Sequence, residues 1–483
     1  MLSVLLSYCP PLLLVALQYL GLAALSAFAV AFVVGRRSPA GGKRAVTVLV
    51  VGDLGRSPRM QYHAWSLAGL PDLAEVSVVG NAGEPCCPEV EAEGRIVEYR
   101  LGKLWFMNKI PRGPLYVVCA PIKALLQITQ LLWVLWVGVP RPSHILIQNP
   151  PGVPALFVVW LVCMLRGAKF VVDWHNLGYT IMSLTLGPAH FMVKLAMRFE
   201  RAFGRRADSG FCVTKAMQAW LWETWQIHAT VLYDRPPPFF RRTPLDVRHD
   251  LFLRLQREFP APVDATPEGI KGLTADDATL FTYRDPRSGE IALRPDRPAL
   301  LVSSTSWTPD EDFGILLDAI VEITDRIEKD AGKGKDAGKD AGKGGKRGAF
   351  PRLCVVVTGK GPQRDEYVRR FNELKLADKG VYILTMWLEA ADYPLLLGSA
   401  DLGICLHTSS SALDLPMKVV DMFGCGLPVC AVEFKCLPEL VRHGQNGLVF
   451  SDKSGLATQM HSLFKDFPAD QSSLDRYVRV TCE

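Results

Sequence analysis

Residues 401–429 read DLGICLHTSSSALDLPMKVVDMFGCGLPV. The segment begins with a short apolar run, Leu402 to Leu406, which has the length of a buried strand. A polar loop follows, and Pro416 can open a helix, because a proline at the first helical position loses no N–H that the helix needs. The start of this helix directs free backbone N–H groups and the positive end of its dipole into the space above the strand. The segment therefore predicts an α/β unit with a site suited to a phosphate.

Charged side chains flank the predicted helix start. Lys418 lies in the first turn, while Asp414 precedes the helix and Asp421 lies about one turn inside it. Two carboxylates so placed can bind hydroxyl groups on either side of a diphosphate. Neighbouring residues complete this candidate site: His407, Ser409, Ser410, Leu415 and Met417. Spacing alone is equally compatible with an ordinary capped helix that carries solvated charges.

The residues of this segment resemble the nucleotide-sugar site of GT-B glycosyltransferases, α/β enzymes with two Rossmann-like lobes that face an interlobe cleft. More narrowly, the chain resembles the β-mannosyltransferases of the dolichol-linked oligosaccharide pathway, from about Val48 to Phe450. Six further blocks carry this resemblance in order: VVGDLGRSPRMQYHA (50–64), QNPPGVP (148–154), DWHNLGYT (173–180), SSTSWTPDEDF (303–313), TGKGP (358–362) and WLEAADYPLLLGSADLG (387–403).

The resemblance implies an inverting enzyme that moves mannose from GDP-mannose to the 4-hydroxyl of the terminal GlcNAc of GlcNAc2-PP-dolichol, an early step of N-glycan precursor assembly. One direct displacement needs a base at the acceptor hydroxyl and charge stabilisation for the departing GDP. Asp414 is then expected to position mannose, Asp421 the ribose and Lys418 the diphosphate. Two alternatives stay open: another membrane-bound GT-B transferase with a different sugar nucleotide, and a non-catalytic GT-B scaffold subunit.

The first lobe supplies candidates for the acceptor side. The sequence GDLGRS (52–57) follows a predicted strand, and Gly52 and Gly55 permit close approach of the backbone to a ligand. It is not the dinucleotide GxGxxG fingerprint, so a nicotinamide cofactor is not expected. The resemblance places the segment beside the cleft, which makes Asp53, Arg56 and Arg59 site candidates.

His175 ends another predicted strand, Lys169 to Asp173, at the edge where α/β sheets bind ligands. On the residues alone, such a histidine is more often a structural hydrogen-bonding group. With the resemblance, we favour His175 over Asp53 as the base, because an imidazole accepts a proton readily near neutral pH. The remaining role for His175 would be a hydrogen bond to mannose.

In the second lobe, hydroxyl groups follow a strand at Ser304, Thr305 and Ser306 and can contact a diphosphate. A basic residue that related transferases often carry after this strand is absent, so Lys360 and Lys418 would neutralise the departing GDP. No DxD-like pair occurs at a strand end. The sequence therefore requires no cofactor and leaves a divalent cation only as a candidate stimulant.

Alternating strand and helix patterns predict two α/β lobes. The strands predicted for the first lobe are Val46 to Val51, Val76 to Val79, Ile145 to Gln148, Lys169 to Asp173 and Phe211 to Val213. Those predicted for the second include Leu300 to Ser303, Leu353 to Thr358, Val381 to Leu384, Leu402 to Leu406, Val429 to Val432 and Leu448 to Phe450. The segment 329–348, KDAGKGKDAGKDAGKGGKRG, has no apolar face and is predicted to be a disordered surface loop. Leu474 to Val480 is expected to be a remnant of a helix that such folds return to the first lobe. The predicted organisation is an anchor (1–37), an acceptor lobe (44–233), a linker with an insert (234–297), a donor lobe (298–467) and a tail (468–483).

The N-terminus carries a predicted transmembrane helix. Leu12 to Val34 has Gln18 as its only strongly polar residue, and its 23 residues give about 34 Å of helix. Basic residues follow this segment and none precedes it, so the short N-terminus is predicted in the lumen and the lobes in the cytosol. A cleaved signal peptide is disfavoured by the missing basic n-region. Lys123, Gln127 and Gln130 fall on one narrow stripe at helical spacing, and the Leu125 to Trp136 face of the same segment is predicted to touch the membrane, with a buried lobe helix as the alternative. Residues 153–165 are too few to span a bilayer and are predicted as a buried lobe helix.

Composition agrees with a globular protein that has a membrane portion. The chain has 483 residues, with 49% apolar and 21% charged residues. A net charge of +5 is mild and no nucleic-acid-binding signature occurs, so nucleic acid is not an expected partner. The 12 cysteines form no framework, which favours a reducing compartment. The expected location is the endoplasmic reticulum membrane, with other early mannosyltransferases of the dolichol pathway as candidate partners.

Overall fold

The computed structural model describes residues 43–102, 114–258, 277–305, 307–308, 311–336, 350–409 and 411–481. The chain divides into two compact units, one ending at Leu232 and the other beginning at Tyr233. The predicted anchor (1–37) and the candidate site residues Ser306 and Ser410 lie outside the described residues. Within the described ranges, no helix has both the length and the apolar character needed to cross a bilayer.

The first unit is built on a seven-stranded parallel sheet of order β3-β2-β1-β4-β5-β6-β7. Its strands are β1 (Arg44–Asp53), β2 (Leu73–Asn81), β3 (Ile96–Leu101), β4 (His144–Asn149), β5 (Lys169–Trp174), β6 (Ser209–Cys212) and β7 (Thr230–Val231). The central strands are rich in valine, isoleucine and leucine, as expected for strands that helices cover on both faces.

Helices alternate with these strands. They are α1 (Pro58–Ala68), α2 (Pro88–Ala92), α3 (Pro114–Trp133), α4 (Ala155–Arg166), α5 (Gly178–Leu186), α6 (Phe191–Gly204) and α7 (Lys215–Trp225). A 3₁₀ turn (Leu54–Arg56) precedes α1, and a π-helical turn (Val134–Gly138) ends α3. α4 is largely buried beside the sheet, which agrees with its predicted place in the lobe.

The second unit has a six-stranded parallel sheet of order β12-β11-β10-β13-β14-β15. Its strands are β10 (Ala299–Ser304), β11 (Leu353–Thr358), β12 (Val381–Met386), β13 (Leu402–Cys405), β14 (Val429–Val432) and β15 (Leu448–Phe450), and β8 (Thr282–Arg284) and β9 (Ile291–Leu293) form a separate antiparallel hairpin. The helices are α8 (Leu245–Glu258), α9 (Phe313–Asp336), α10 (Arg364–Glu373), α11 (Asp392–Leu397), α12 (Met417–Gly424), α13 (Lys453–Leu463) and α14 (Ser472–Thr481).

Each parallel sheet has a topological switch point. In the first unit β1 lies between β2 and β4, and in the second unit β10 lies between β11 and β13, so the chain turns to opposite sides of the starting strand. Ligands of open α/β sheets bind beyond the carboxyl ends of strands at such points. The candidate residues that follow β1, β5, β10 and β13 therefore lie at the functional edges of their sheets.

Three segments differ from the sequence-based expectation. α9 continues to Asp336, eight residues into the segment predicted as a disordered loop, and 337–349 lies outside the described residues. The predicted linker 234–297 belongs to the second unit and contains α8 and the β8–β9 hairpin. Pro416 caps α12 in an extended conformation instead of occupying its first turn, so the helix begins one residue later.

Candidate active site

A buried carboxylate gathers three basic side chains at the carboxyl end of β5. Asp173 is fully buried. Arg59 donates from Nε to Asp173 Oδ2 at 2.8 Å and from Nη2 to Oδ1 at 3.0 Å. His63 Nε2 and His175 Nε2 lie 2.8 and 3.0 Å from Asp173 Oδ2. Arg59 and His63 lie one turn apart on α1, so a single helix supplies two of the three partners.

The charge of this cluster sets the proton positions on both histidines. Burial alone would raise the pKa of Asp173, but His175, His63 and Arg59 hold it well below its ordinary value. The ionised carboxylate can only accept hydrogen bonds, so Nε2 of each imidazole carries hydrogen. In a neutral ring, Nδ1 is then the acceptor. His175, whose side chain is 22% exposed, can therefore take a proton from a ligand at Nδ1.

The backbone around His175 is fixed by buried groups. The His175 N–H donates to the Asn149 carbonyl at 2.9 Å, and the Asn149 side chain donates to the Asn176 carbonyl at 3.2 Å. Glu200 of α6 accepts from the Gly178 N–H at 3.0 Å, and burial raises the pKa of Glu200 to about 7. These contacts fix the direction in which the strand end presents the imidazole.

Asp53 lies at the end of β1 and holds a neighbouring loop. Its carboxylate accepts from the Glu84 N–H at 3.1 Å, and Arg56 Nε lies 3.8 Å from Oδ2. A Cβ on residue 55 would lie 2.4 Å from a backbone carbonyl, so this position requires glycine, whereas a Cβ on residue 83 would lie 2.0 Å from Asp53 Oδ2 and would displace that carboxylate. The Asp53 carboxylate is thus engaged in holding a loop. His175 uses Nε2 to bind Asp173, and no side chain of the described residues binds its Nδ1, which can therefore contact a ligand.

The first-unit candidates divide into two groups. Arg59 is buried, and its remaining Nη1 donates to the Leu232 carbonyl at 2.8 Å, so it orients Asp173 and offers no open charge. Arg56 is exposed and pairs with Glu84 at 3.1 Å. Gly52 lies beside the switch point. A Cβ at this position would contact only Val50 Cγ1, at 3.6 Å, so the position has room for a side chain. The sequence-based reasoning did not find His63, because no local signal links α1 to a strand that lies 110 residues later.

In the second unit, a buried glutamate organises the loop ends after β10 and β13. Glu311 bonds to Lys418 Nζ and to the Thr305 hydroxyl, and His407 Nδ1 lies 3.9 Å from its Oε1. The backbones of Glu311 and His407 also pair in an isolated bridge. Lys418 is therefore held at the start of α12 by a carboxylate, a role for Glu311 that the sequence-based reasoning missed.

The two candidate carboxylates of the donor site differ in their surroundings. Asp414 accepts from the hydroxyls of Ser409 and Ser411; burial raises its pKa, against the effect of those hydroxyls and of His407. Asp421 lies within α12, and burial together with the charge of Asp234 raises its pKa to about 7. Leu415 and Met417 flank Pro416 at the helix start.

The other predicted phosphate contacts are engaged inside the protein. The Ser304 hydroxyl lies 3.0 Å from the Tyr393 hydroxyl, and Lys360 Nζ lies 4.2 Å from the centre of the Trp387 ring. The Thr305 hydroxyl is bonded to Glu311, as described above. In the part of the chain that the structure describes, no group of three or more His, Cys, Asp or Glu residues is arranged to hold a metal ion.

Comparisons with known proteins agree with this geometry. The family model "Glycosyl transferase 4-like domain" matches residues 60–232, and "Glycosyl transferases group 1" matches residues 346–466. The chain is 47% identical over 437 residues to the UDP-glycosyltransferase TURAN of Arabidopsis thaliana, covering 90% of this chain and 92% of that protein. It is 46% identical over 437 residues to the chitobiosyldiphosphodolichol beta-mannosyltransferase of Mus musculus, covering 90% and 85%.

Solved structures show the fold. The crystal structure of Anabaena Alr3699/HepE in complex with UDP matches with a TM-score of 0.52 at 14% identity, over 90% of this chain and 94% of that one. The two parallel sheets are thus the Rossmann-like sheets of the GT-B fold. The predicted pair of Rossmann-like lobes and the predicted resemblance are confirmed, while the transmembrane helix stays a prediction. The chain belongs to the glycosyltransferase family that includes the chitobiosyldiphosphodolichol beta-mannosyltransferases.

Proposed function

We propose that this protein transfers mannose from GDP-mannose to the terminal GlcNAc of GlcNAc2-PP-dolichol and forms a β-1,4 linkage. The similarity to the mouse enzyme, 46% over 90% of the chain, carries the identity of the reaction. The proposed reaction is a single displacement, for which the first unit offers a candidate base, His175, and the second a cation for the leaving group, Lys418. The acceptor 4-hydroxyl oxygen attacks the anomeric carbon of mannose, the bond from that carbon to the diphosphate breaks, and GDP leaves.

On the acceptor side, His175 is the proposed base. Its Nδ1 takes the proton of the 4-hydroxyl as the new bond forms. Asp173 stabilises the resulting imidazolium, since Oδ2 already accepts from Nε2 at 3.0 Å. Arg59 and His63 position Asp173, and Asp53 is assigned to the loop that contains Glu84.

On the donor side, the proposed contacts surround the start of α12. Lys418 and the helix N-terminus face the leaving diphosphate, and Glu311 holds the ammonium group in place before the donor binds. Asp414 positions mannose and Asp421 the ribose, each through a half-buried carboxyl group that can accept from sugar hydroxyls. The further proposed donor contacts are Ser304, Thr305, Ser306, Lys360, His407, Ser409, Ser410, Leu415 and Met417.

A UDP-sugar donor is the second candidate function. One relative with 47% identity is named a UDP-glycosyltransferase. The two candidates separate in a panel of radiolabelled GDP-mannose, UDP-glucose and UDP-N-acetylglucosamine, offered to the detergent-solubilised full chain with phytanyl- or dolichyl-linked chitobiose. We expect transfer from GDP-mannose alone, to a product that β-mannosidase cleaves. Transfer only from a UDP-sugar would replace the proposed donor, and a divalent cation added to the panel tests stimulation.

We also propose the endoplasmic reticulum membrane as the location, with Leu12 to Val34 as a single span and both units in the cytosol. Support within the described residues comes from α3. Its exposed face carries two large apolar side chains, Leu125 and Trp133, which are 60% and 59% exposed and suit a membrane interface. Trp136, a residue of the predicted membrane face, is instead half-buried beneath the Arg166 guanidinium, 5.6 Å from its ring centre. The proposed contact therefore centres on Leu125 and Trp133.

A further inference from the structure

A helical hairpin of the first unit has an exposed apolar end. Helices α5 and α6 are joined by residues 187–190, and large apolar side chains on both sides of this connection are between 37% and 67% exposed. They are Ile181, Leu184, Leu186, Phe191, Met192 and Leu195. A group of this size marks an interaction surface more often than it does an ordinary solvated surface.

The same hairpin carries a row of positive charge. Along α6, exposed basic residues recur at three- and four-residue spacing after Phe191, which places them on one side of the helix. Between residues 178 and 206 the one acidic residue is Glu200, and it is buried. None of the row is paired with an acidic side chain in the described parts of the chain. The row consists of Lys194, Arg198, Arg201 and Arg205.

We propose that the α5–α6 hairpin docks on the surface of an anionic bilayer. Its apolar end enters the boundary between headgroups and acyl chains, and the basic row lies against the headgroup phosphates. Cations beside an anionic leaflet each add to such binding within about a Debye length, roughly 8 Å at physiological salt. This contact is additional to the N-terminal span and to α3.

The hairpin is tied directly to the candidate base. α5 begins at Gly178, and the N–H groups of Gly178 and Tyr179 donate to Glu200 of α6 at 3.0 and 3.5 Å. A Cβ on residue 178 would lie 2.4 Å from Glu200 Oε1, so glycine permits this close approach. Docking would hold His175 near the headgroup layer, where a lipid-linked acceptor carries its diphosphate. This consequence rests on the proposed function, whereas the docking itself does not.

Charge favours a membrane over the other occupants of such a surface. A second copy of this chain would bring two basic rows together without acidic groups between them, which opposes association. A protein partner would need a complementary acidic row around an apolar centre. An anionic leaflet supplies both features over any area that the hairpin covers.

Photocrosslinking to lipid tests the contact. The full chain carries p-benzoyl-phenylalanine at Leu184 or Phe191 and is reconstituted in nanodiscs of phosphatidylcholine and phosphatidylserine. Leu70, which is 45% exposed in the connection from α1 to β2 at the opposite sheet edge, is the matched control. We expect at least about tenfold more lipid adduct at 184 and 191 than at 70, as for an interfacial helix. Adducts equal to the control, or adducts with a second copy or another protein instead of lipid, overturn the proposal.

Charge reversal tests the basic row in the same nanodiscs. The double variant Arg198→Glu and Arg201→Glu should raise the KM for dolichyl-linked chitobiose at least about tenfold, since each cation near an anionic surface contributes severalfold to binding. The matched control reverses two exposed charges of the second unit, Arg369→Glu and Lys465→Glu, and should leave this KM unchanged. An unchanged KM in the first variant overturns docking.

A water-soluble acceptor separates this proposal from the proposed function. Chitobiosyl diphosphate on a short isoprenoid should be used by the wild type and both double variants with equal kcat. If the wild type transfers mannose to neither acceptor, the proposed function fails, and the crosslinking result alone decides whether the hairpin docks.

Discussion

Replacing Asp173 with asparagine separates the two roles that the structure gives this side chain. The introduced amide would keep the size of the carboxylate but offer an N–H where His175 Nε2 now donates at 3.0 Å, so the imidazole would change its tautomer or turn away. A comparable loss of the orienting carboxylate in a catalytic triad lowers turnover about 10⁴-fold. The change also leaves Arg59, 7% exposed, without its partner, and breaking a buried ion pair typically costs about 3–5 kcal/mol.

The matched control is Arg59→Met, which breaks the same ion pair from the other side. Asp173 then keeps His63 and His175, so the stability should fall by a similar amount while the tautomer of His175 is retained. Unfolding is followed by thermal denaturation in detergent, and turnover by mannosyl transfer to lipid-linked chitobiose below the unfolding range. If folded Asp173→Asn protein turns over within tenfold of the Arg59→Met protein, the orienting role of Asp173 is wrong.

Three further substitutions test the rest of the site. Lys418→Met should lower kcat about 10²- to 10³-fold, because a charge aimed at the departing diphosphate is lost. Adding Glu311→Gln should recover stability but not turnover, since it removes the carboxylate left without its partner. Near-normal rates in single-turnover assays would contradict this role of Lys418. His175→Ala should abolish the acidic limb of the kcat–pH profile, whereas Asp53→Asn should retain it; the reverse result would transfer the base to Asp53. Glu200→Gln should flatten the dependence of the unfolding free energy on pH. Burial raises the pKa of Glu200 from 4.5 to about 7, so the wild type loses roughly 2–3 kcal/mol of stability as the pH rises through this window and the variant does not. If the stabilities of the two proteins change in parallel between pH 5 and 8, this reasoning is wrong.

The strands were predictable because both sheets are parallel and buried. Continuous runs such as Val46 to Val51 and Leu353 to Thr358 predicted β1 and β11, since strands covered on both faces need no polar alternation. β3 was missed because Ile96–Leu101 is an edge strand that carries Glu98 and Arg100 among its apolar residues. An edge strand leaves such side chains in contact with water, so its sequence lacks the continuous apolar run that identifies a buried strand.

The site was predictable at strand ends and not across the sheet. His175 follows β5, and topology alone places that position at the functional edge. His63 and Glu311 contact their partners, Asp173 and Lys418, over 110 and 107 residues of chain, and both lie on segments whose local pattern indicates only a helix or its start. Identifying them requires the packing of α1 against β5 and of the β10 loop against α12, which single-sequence periodicity does not contain.

α3 shows the same limit in the choice of a helix face. The spacing of Lys123, Gln127 and Gln130 correctly groups them on one stripe, but it does not say whether that stripe meets water or protein. In the structure the stripe is half-buried, and Gln130 Nε2 donates to the Gly102 carbonyl at 3.2 Å, while Leu125 and Trp133 are exposed. In water this orientation is unfavourable, because large apolar side chains remain solvated while polar ones are partly desolvated. At a bilayer surface the exposed face would gain the burial that it lacks in water, which supports the membrane contact proposed above for Leu125 and Trp133.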